Sequence, residues 1–297
     1  LHYSLNALVF RFYYICLMFI ETYAELRSYG KRDLRAASRR IILDALSSNP
    51  YLLSRMKDIL SKPRIQFLYI HHMFTDEVAP LGLLIKELAK TDTFISYRDA
   101  VSKILSGNID KPYIVISSDD GFKNNLNALD IFENFGISAC FFICPSIVGE
   151  TNLEKISSFA SQRLNFPPIE FMNWDDVELL QRKGHEIGGH TMSHVNLGEC
   201  SVDALPEEIG GCYKEIVKKC GSCDHFAFPY GRLKNFTGQS RKMVFATGFT
   251  DCASAIRGCH IVENEQSINN DDLLIGRDHI VLDWPLKHIM YFIARNA

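Results

Sequence analysis

From Pro63 onward the chain alternates short apolar runs with amphipathic stretches, and this alternation constrains the fold more than any other feature. Residues 65–70, 113–117, 138–144, 186–190, 225–228 and 249–253 read as strands, short and rich in β-branched or aromatic residues. Between and after them, residues 80–90, 125–135, 175–183, 203–219, 237–247 and 285–295 read as helices, three of them stopped by Gly136, Gly184 and Gly248. In the second helix Leu126, Leu129 and Phe132 share one face. Strands that alternate with helices build a parallel sheet under a helical cover. Six or more such units in one domain predict an α/β fold closed, or nearly closed, into a barrel. Chemistry in such barrels sits at the C-terminal ends of the strands. Polar residues that directly follow a strand are therefore the ones to weigh.

Four groups meet that condition. Ile114-Val115-Ile116 runs through Ser117-Ser118 into Asp119-Asp120-Gly121. Two adjacent carboxylates repel unless a cation or proton lies between them, so one is a candidate metal ligand and the other a candidate base. Asp-Asp-Gly is also an ordinary turn. His190 and His194, four apart and preceded by Gly188-Gly189, suit a divalent metal that accepts imidazole beside carboxylate; they read equally as surface histidines. With Asp120 they make a set of two imidazoles and one carboxylate that leaves coordination positions open. The segment from Phe226 to Arg232 exits a strand at Pro229 and turns at Gly231. Tyr69-Ile70-His71-His72 ends a strand in two histidines, which at such positions are more often structural.

In order and wording these groups resemble the polysaccharide deacetylase (NodB homology) family, also called carbohydrate esterase family four. Its first motif, Thr-Phe-Asp-Asp-Gly, is matched by Ser117 to Gly121 with the two leading residues changed, and its second, His-(Ser/Thr)-x-x-His, by His190 to His194. Of its third, Arg-x-Pro-Tyr, Pro229 and Tyr230 match, while Ala227 stands where Arg is usual. The late Leu-x-His motif that supplies the acid is not visible; Asp278-His279 is the nearest pair. One branch of the family has Tyr-His near its start and Phe-Ala-Tyr-Pro-Tyr-Gly as third motif, and this chain looks like that branch. The resemblance spans about residues 64–255.

The resemblance implies a distorted (β/α) barrel of about seven parallel strands over residues 63–297, behind a helical N-terminal extension, residues 1–62. It implies Asp119 as general base and Asp120, His190 and His194 as ligands of a divalent metal, Zn²⁺ first and Co²⁺ or Ni²⁺ as alternatives. Pro229 and Tyr230 then belong to the substrate and oxyanion site, His71 is the candidate acid, and Arg277 the candidate residue holding Asp119. The expected activity is removal of N-acetyl groups from an amino sugar in a glycan or glycan precursor. The alternatives are an O-acetyl esterase or other amide hydrolase, or a non-catalytic glycan-binding module.

Composition narrows the remaining choices. With 47% hydrophobic and 23% charged residues the chain can bury a large core. A net charge of −3 argues against a nucleic-acid partner. Nine cysteines, odd in number and irregularly spaced, predict a reducing, cytoplasmic setting rather than a disulfide framework. The lone pair Cys220 and Cys223 has metal or redox spacing without a second pair to complete it. Asn235-Phe236-Thr237 fits a glycosylation acceptor, irrelevant in a reducing compartment. The sequence opens on Leu1, which reads as a fragment or a non-standard start. Residues 5–20 are mostly apolar but interrupted by Arg11, shorter than a bilayer span, and lack a signal-type cleavage site. Basic residues follow, from Arg27 to Arg40. This region reads as a helix packed on the domain, or as a peripheral membrane contact through residues 1–40.

Overall fold

A computed structural model describes residues 19–29, 36–261 and 272–297. Among the described residues nine strands, all parallel, form one sheet: β1 (Arg64–Ile70), β2 (Thr93–Phe94), β3 (Pro112–Ser118), β4 (Cys140–Ile143), β5 (Glu186–Gly189), β6 (His225–Ala227), β7 (Asp251–Ala253), β8 (Leu274–Ile275) and β9 (Arg277–His279). Their order is β8-β7-β6-β5-β4-β3-β1-β9, with β2 beside β3. β8 pairs with β7 and β9 with β1, and only Gly276 separates them. Residues 274–279 are thus one run of chain that reaches from one edge of the sheet to the other, and the barrel is nearly closed. Counting that run once and leaving β2 aside gives seven staves.

The two faces of the sheet bury different sets of residues. Side chains alternate along a strand, and Ile65, Phe67, Tyr113, Val115, Cys140, Phe142, Ala227, Ala253 and Ile275 pack into one cluster, the barrel interior. Their neighbours Leu68, Ile70, Ile114, Ile116, Phe141, Ile143, Phe226 and Cys252 pack outward against helices. Gly188 on β5 is required here, because a Cβ at that position would lie 2.5 Å from the Phe142 ring that fills the barrel.

An ionic group closes the N-terminal end of the barrel. His225 on β6 lies between Asp251 on β7 (Nδ1–Oδ2 2.5 Å) and Glu186 on β5 (Nε2–Oε2 3.1 Å). Glu186 also accepts the N–H groups of Tyr97 and Arg98, at the start of the helix Tyr97–Ser106. Burial works against charge on His225, but Asp251 and Glu186 outweigh it and raise its pKa to about 10. A folded-state pKa above the unfolded value of about 6.5 stabilises fully below that pH, and the contribution is lost as pH rises towards 10. The expected result is a melting temperature that falls between pH 7 and 10 in the parent, and a His225→Gln protein that starts lower and falls less. Thermal unfolding followed by circular dichroism checks this; parallel curves for the two proteins would remove the assignment.

Most predicted elements are found within two residues, with instructive differences. The helix expected over 203–219 is broken: a short turn at Val202–Ala204 and a wide turn at Pro206–Gly211 precede the regular helix Cys212–Cys220. Pro206 and the pair Gly210-Gly211 account for this, since neither residue type supports a regular helix interior. The stretch 125–135 starts as a tight turn, Lys123–Ala128, before the helix Leu129–Asn134. The helices Tyr97–Ser106 and Leu153–Phe159, and strands β2, β8 and β9, were not foreseen.

Ahead of β1 lie the helices Tyr23–Tyr29, Ala36–Leu46 and Pro50–Leu60. Leu43 and Leu60 are buried, and the last two helices pack on the C-terminal helix Leu286–Asn296. Most of the apolar stretch at residues 5–20 lies outside the described residues; Phe19 and Ile20, which are described, pack with Phe122 and Phe171. No helix among the described residues is long and apolar enough to cross a membrane. All cysteines among the described residues are free, Cys220 and Cys223 included.

Candidate active site

The polar residues at the C-terminal ends of the strands converge. A cavity of about 130 Å³ is lined by His71 after β1, Asp119 and Asp120 after β3, His190 and His194 after β5, Tyr230 after β6, and Arg277 on β9. Of the eight residues to which the resemblance gives a role, only Pro229 is absent from the lining; it is buried between Phe228 and Tyr230, which do line it. Tyr69, Gly231, Ala255, Leu164 and Phe166 complete the walls. The last two come from the segment after the helix Leu153–Phe159, which carries no sequence signal of a site.

The backbone at the site is strained. Among the described residues five non-glycines have positive φ: Asp120 (72°), Asn165 (56°), Thr191 (60°), His194 (55°) and Tyr230 (64°). All five line the cavity or adjoin a residue that does. Such conformations cost roughly 1–3 kcal/mol each and collect where function demands them. At Asp120 the left-handed turn, continued by Gly121 at 75°, lets two consecutive carboxylates serve the same cavity. At Tyr230 it leaves a backbone N–H with no acceptor among the described residues.

Asp120, His190 and His194 are all buried, and one donor atom from each lies within 4.8 Å of the others. Asp120 Oδ1 is 3.4 Å from His190 Nε2 and 3.2 Å from His194 Nε2. His190 Nδ1 donates to the Ala227 carbonyl at 2.7 Å, which leaves a lone pair on Nε2 in the neutral ring. Asp120 Oδ1 itself has no hydrogen-bond partner. Lone pairs brought this close need a cation or extra protons between them. A tetrahedral ion with bonds of ~2.1 Å separates its ligands by about 3.4 Å, close to the two separations that Asp120 makes with the histidines, so the residues fit a divalent metal with an open position. Burial disfavours charge on Asp120, yet the two imidazoles hold its pKa well below the ordinary carboxylate value.

Asp119 faces the same cavity but is held differently. Arg277 Nη1 and Nη2 donate to its two oxygens at 2.7 and 2.8 Å. The guanidinium also donates through Nε to the Ser254 carbonyl at 3.0 Å and lies 4.4 Å from the centre of the Tyr69 ring. Burial would raise the Asp119 pKa; Arg277, with His190 and His71, brings it below the usual value, so the carboxylate is ionised. Each oxygen keeps a lone pair beyond the one given to Arg277. Ala227 leaves no side chain in that role, and the last strand supplies it instead.

The two histidines after β1 part company. His72 Nδ1 pairs with Glu77 Oε2 at 2.7 Å, away from the cavity. His71 lines the cavity, and its Nδ1 is 3.1 Å from Nε2 of His279.

A family model described as Polysaccharide deacetylase matches residues 106–250. The chain carries a polysaccharide deacetylase domain. Solved structures share the fold of this chain at low identity. IcaB from Ammonifex degensii matches with a TM-score of 0.59 at 15% identity, over 78% of this chain and 98% of that one. The Streptococcus pyogenes deacetylase PplD gives 0.58 at 16%, over 78% and 99%. A de-N-acetylase from Aggregatibacter actinomycetemcomitans gives 0.55 at 16%, over 77% and 99%. The family match supports deacetylation of a glycan as the activity of the deacetylase domain.

Proposed function

We propose that this protein is a divalent-metal-dependent hydrolase that removes N-acetyl groups from an amino sugar in a glycan or glycan precursor. The observation that carries the reading is the convergence of Asp120, His190 and His194, with both histidines at about the ligand separation of a tetrahedral ion from Asp120, beside an ionised Asp119. These three residues would hold the metal, with Zn²⁺ the best match to two imidazoles and a carboxylate and Co²⁺ or Ni²⁺ able to replace it. When bound, such an ion polarises the acetyl carbonyl and lowers the pKa of water.

The chain's own residues do the rest. Asp119 accepts the proton of the attacking water through the lone pairs that Arg277 leaves free. The free N–H of Tyr230 donates to the oxygen on which negative charge develops. Leu164 and Phe166 give the cavity an apolar wall. His71 gives a proton to the departing nitrogen. An amine leaves far less readily than an alkoxide, so a proton donor in the same cavity as the base favours the N-acetyl over the O-acetyl substrate.

The test is acetate release from chitooligosaccharides, peptidoglycan fragments and an O-acetylated glycan, with protein stripped by chelator and then given Zn²⁺. Release from an N-acetylated substrate that stops on stripping and returns with Zn²⁺ is expected. Release only from the O-acetylated glycan makes the protein an esterase. Binding of glycans without release from any of them makes it a binding module.

A further inference from the structure

β9 carries a second side chain on the same face as Arg277. Residues two apart on a strand share a face, so Arg277 and His279 both turn to the side where β9 meets the top of the barrel. The pairing register sets Tyr69 opposite His279, and the Ile280 N–H donates to the Tyr69 carbonyl at 2.9 Å. β1 ends one residue later, and His71 follows in the next position but one after Tyr69. The two imidazoles therefore meet at right angles, 4.8 Å between centres and 81° between planes, with His71 Nδ1 3.1 Å from His279 Nε2. The Tyr69 ring touches both, 5.4 Å from His71 and 5.0 Å from His279.

We propose that His279 is a positioning residue for His71: its Nε2 accepts the Nδ1 proton of His71 and leaves Nε2 of His71 as the one ring nitrogen able to pass a proton to the substrate. The proposal rests on the deacetylase reading above. A hydrogen bond is possible in only two ways, with the proton on His71 or on His279. An acid must hold both of its ring protons before it acts, so the first is the one compatible with catalysis, and it requires His279 to be neutral at Nε2. Its surroundings meet that requirement: burial, and then the neighbouring His71 and His72, lower the His279 pKa to about 3. When His71 gives its Nε2 proton to the departing nitrogen it becomes neutral and keeps the Nδ1 proton on His279. One strand thus holds the base through Arg277 and the acid through His279, two residues apart.

The charged neighbours are shared by both rings. Burial is the largest influence on His71 and lowers its pKa; Asp120 and Asp119, from the turn after β3, favour its charged form, and His72 and His190 oppose it. His279 faces His71, His72, Asp119 and Arg257.

The experiment compares His279→Gln, His279→Asn and His279→Phe in the full chain with Zn²⁺ added. A Gln side chain can bring its amide oxygen to where Nε2 stands, while Asn is too short. The expected result is kcat within about threefold of the parent for Gln, and kcat lower by roughly 10–100-fold for Asn and Phe with KM little changed, the usual effect of removing a partner that orients a working imidazole. Imidazole NMR of ¹⁵N-histidine protein reads the contact without turnover. His71 should carry its proton on Nδ1 in the parent and the Gln variant, lose that preference in the Phe variant, and titrate at lower pH there. Zinc content should be equal throughout. A Phe variant with parental kcat and an unchanged His71 spectrum overturns the proposal and leaves the deacetylase reading in place. Failure of that reading looks different: the parent releases no acetate, no variant alters this, and both fall.

Discussion

Arg277→Met is expected to lower stability by about 3–5 kcal/mol and to abolish measurable acetate release. The substitution removes both donors from a carboxylate that is 4% exposed, so Asp119 would remain charged without a partner or take up a proton. Breaking one side of a buried ion pair typically costs this much, because the other side keeps its desolvation. The pH dependence has a definite sign. The Asp119 pKa is below the unfolded value, so the pair stabilises above about pH 4 and the contribution disappears as pH falls through the folded pKa. In the Met variant burial is opposed only by His190 and His71, the pKa rises, and a protonated Asp119 is no base. Arg277→Lys restores the charge but not the two-pronged contact, and should recover part of the stability and little activity. Urea denaturation gives the first quantity and acetate release the second. A Met variant as stable as the parent would show that the pair contributes nothing, and one that is stable and active would remove Asp119 from its assigned role.

Asp119→Asn and His194→Ala are expected to fail in different ways. Asn keeps one oxygen for Arg277 but cannot take a proton from water. Turnover should fall by roughly 10²–10⁴, the usual worth of a positioned base, while zinc content stays at the parental level because Asp120, His190 and His194 are untouched. His194→Ala removes one of three donors. Zinc measured after dialysis should drop below one per chain, and excess Zn²⁺ should restore part of the activity. The pair separates base from ligand by metal analysis as well as by rate. An Asp119→Asn protein that loses zinc, or hydrolyses as fast as the parent, would exchange or cancel the roles of the two carboxylates.

The sequence carried the barrel because six of its strands are apolar runs closed by turn residues, and a parallel sheet follows from their alternation with helices. Asp119, Asp120, His190 and His194 were legible because they follow strands directly. Arg277 came only from resemblance: β8 and β9 are two and three residues long, too short to show a period, and Gly276 interrupts them. His279 was noted as the nearest late histidine to a missing motif, but its contact with His71 depends on the register of two strands some two hundred positions apart. Leu164 and Phe166 were illegible for another reason. They belong to an irregular segment whose packing against Phe122 and Phe171 is set by tertiary contacts alone. The left-handed backbone of Asp120 is hidden in a dipeptide that reads as a common turn.

Synthesis runs from the N-terminus, so the run 274–279 is translated after every other stave and after all three candidate zinc ligands. Until residue 279 has emerged, a nascent chain presents two unpaired parallel edges, β7 and β1, each able to recruit a strand from a neighbouring polypeptide. It would also possess its metal-binding side chains while its base lies unclamped. A product terminated early, between residues 254 and 276, is therefore expected to sequester zinc yet hydrolyse nothing, and to depend on chaperones that shield sheet edges. On the proposed reading, maturation would have an order: loading first, competence last, with the seam of the barrel as the final step.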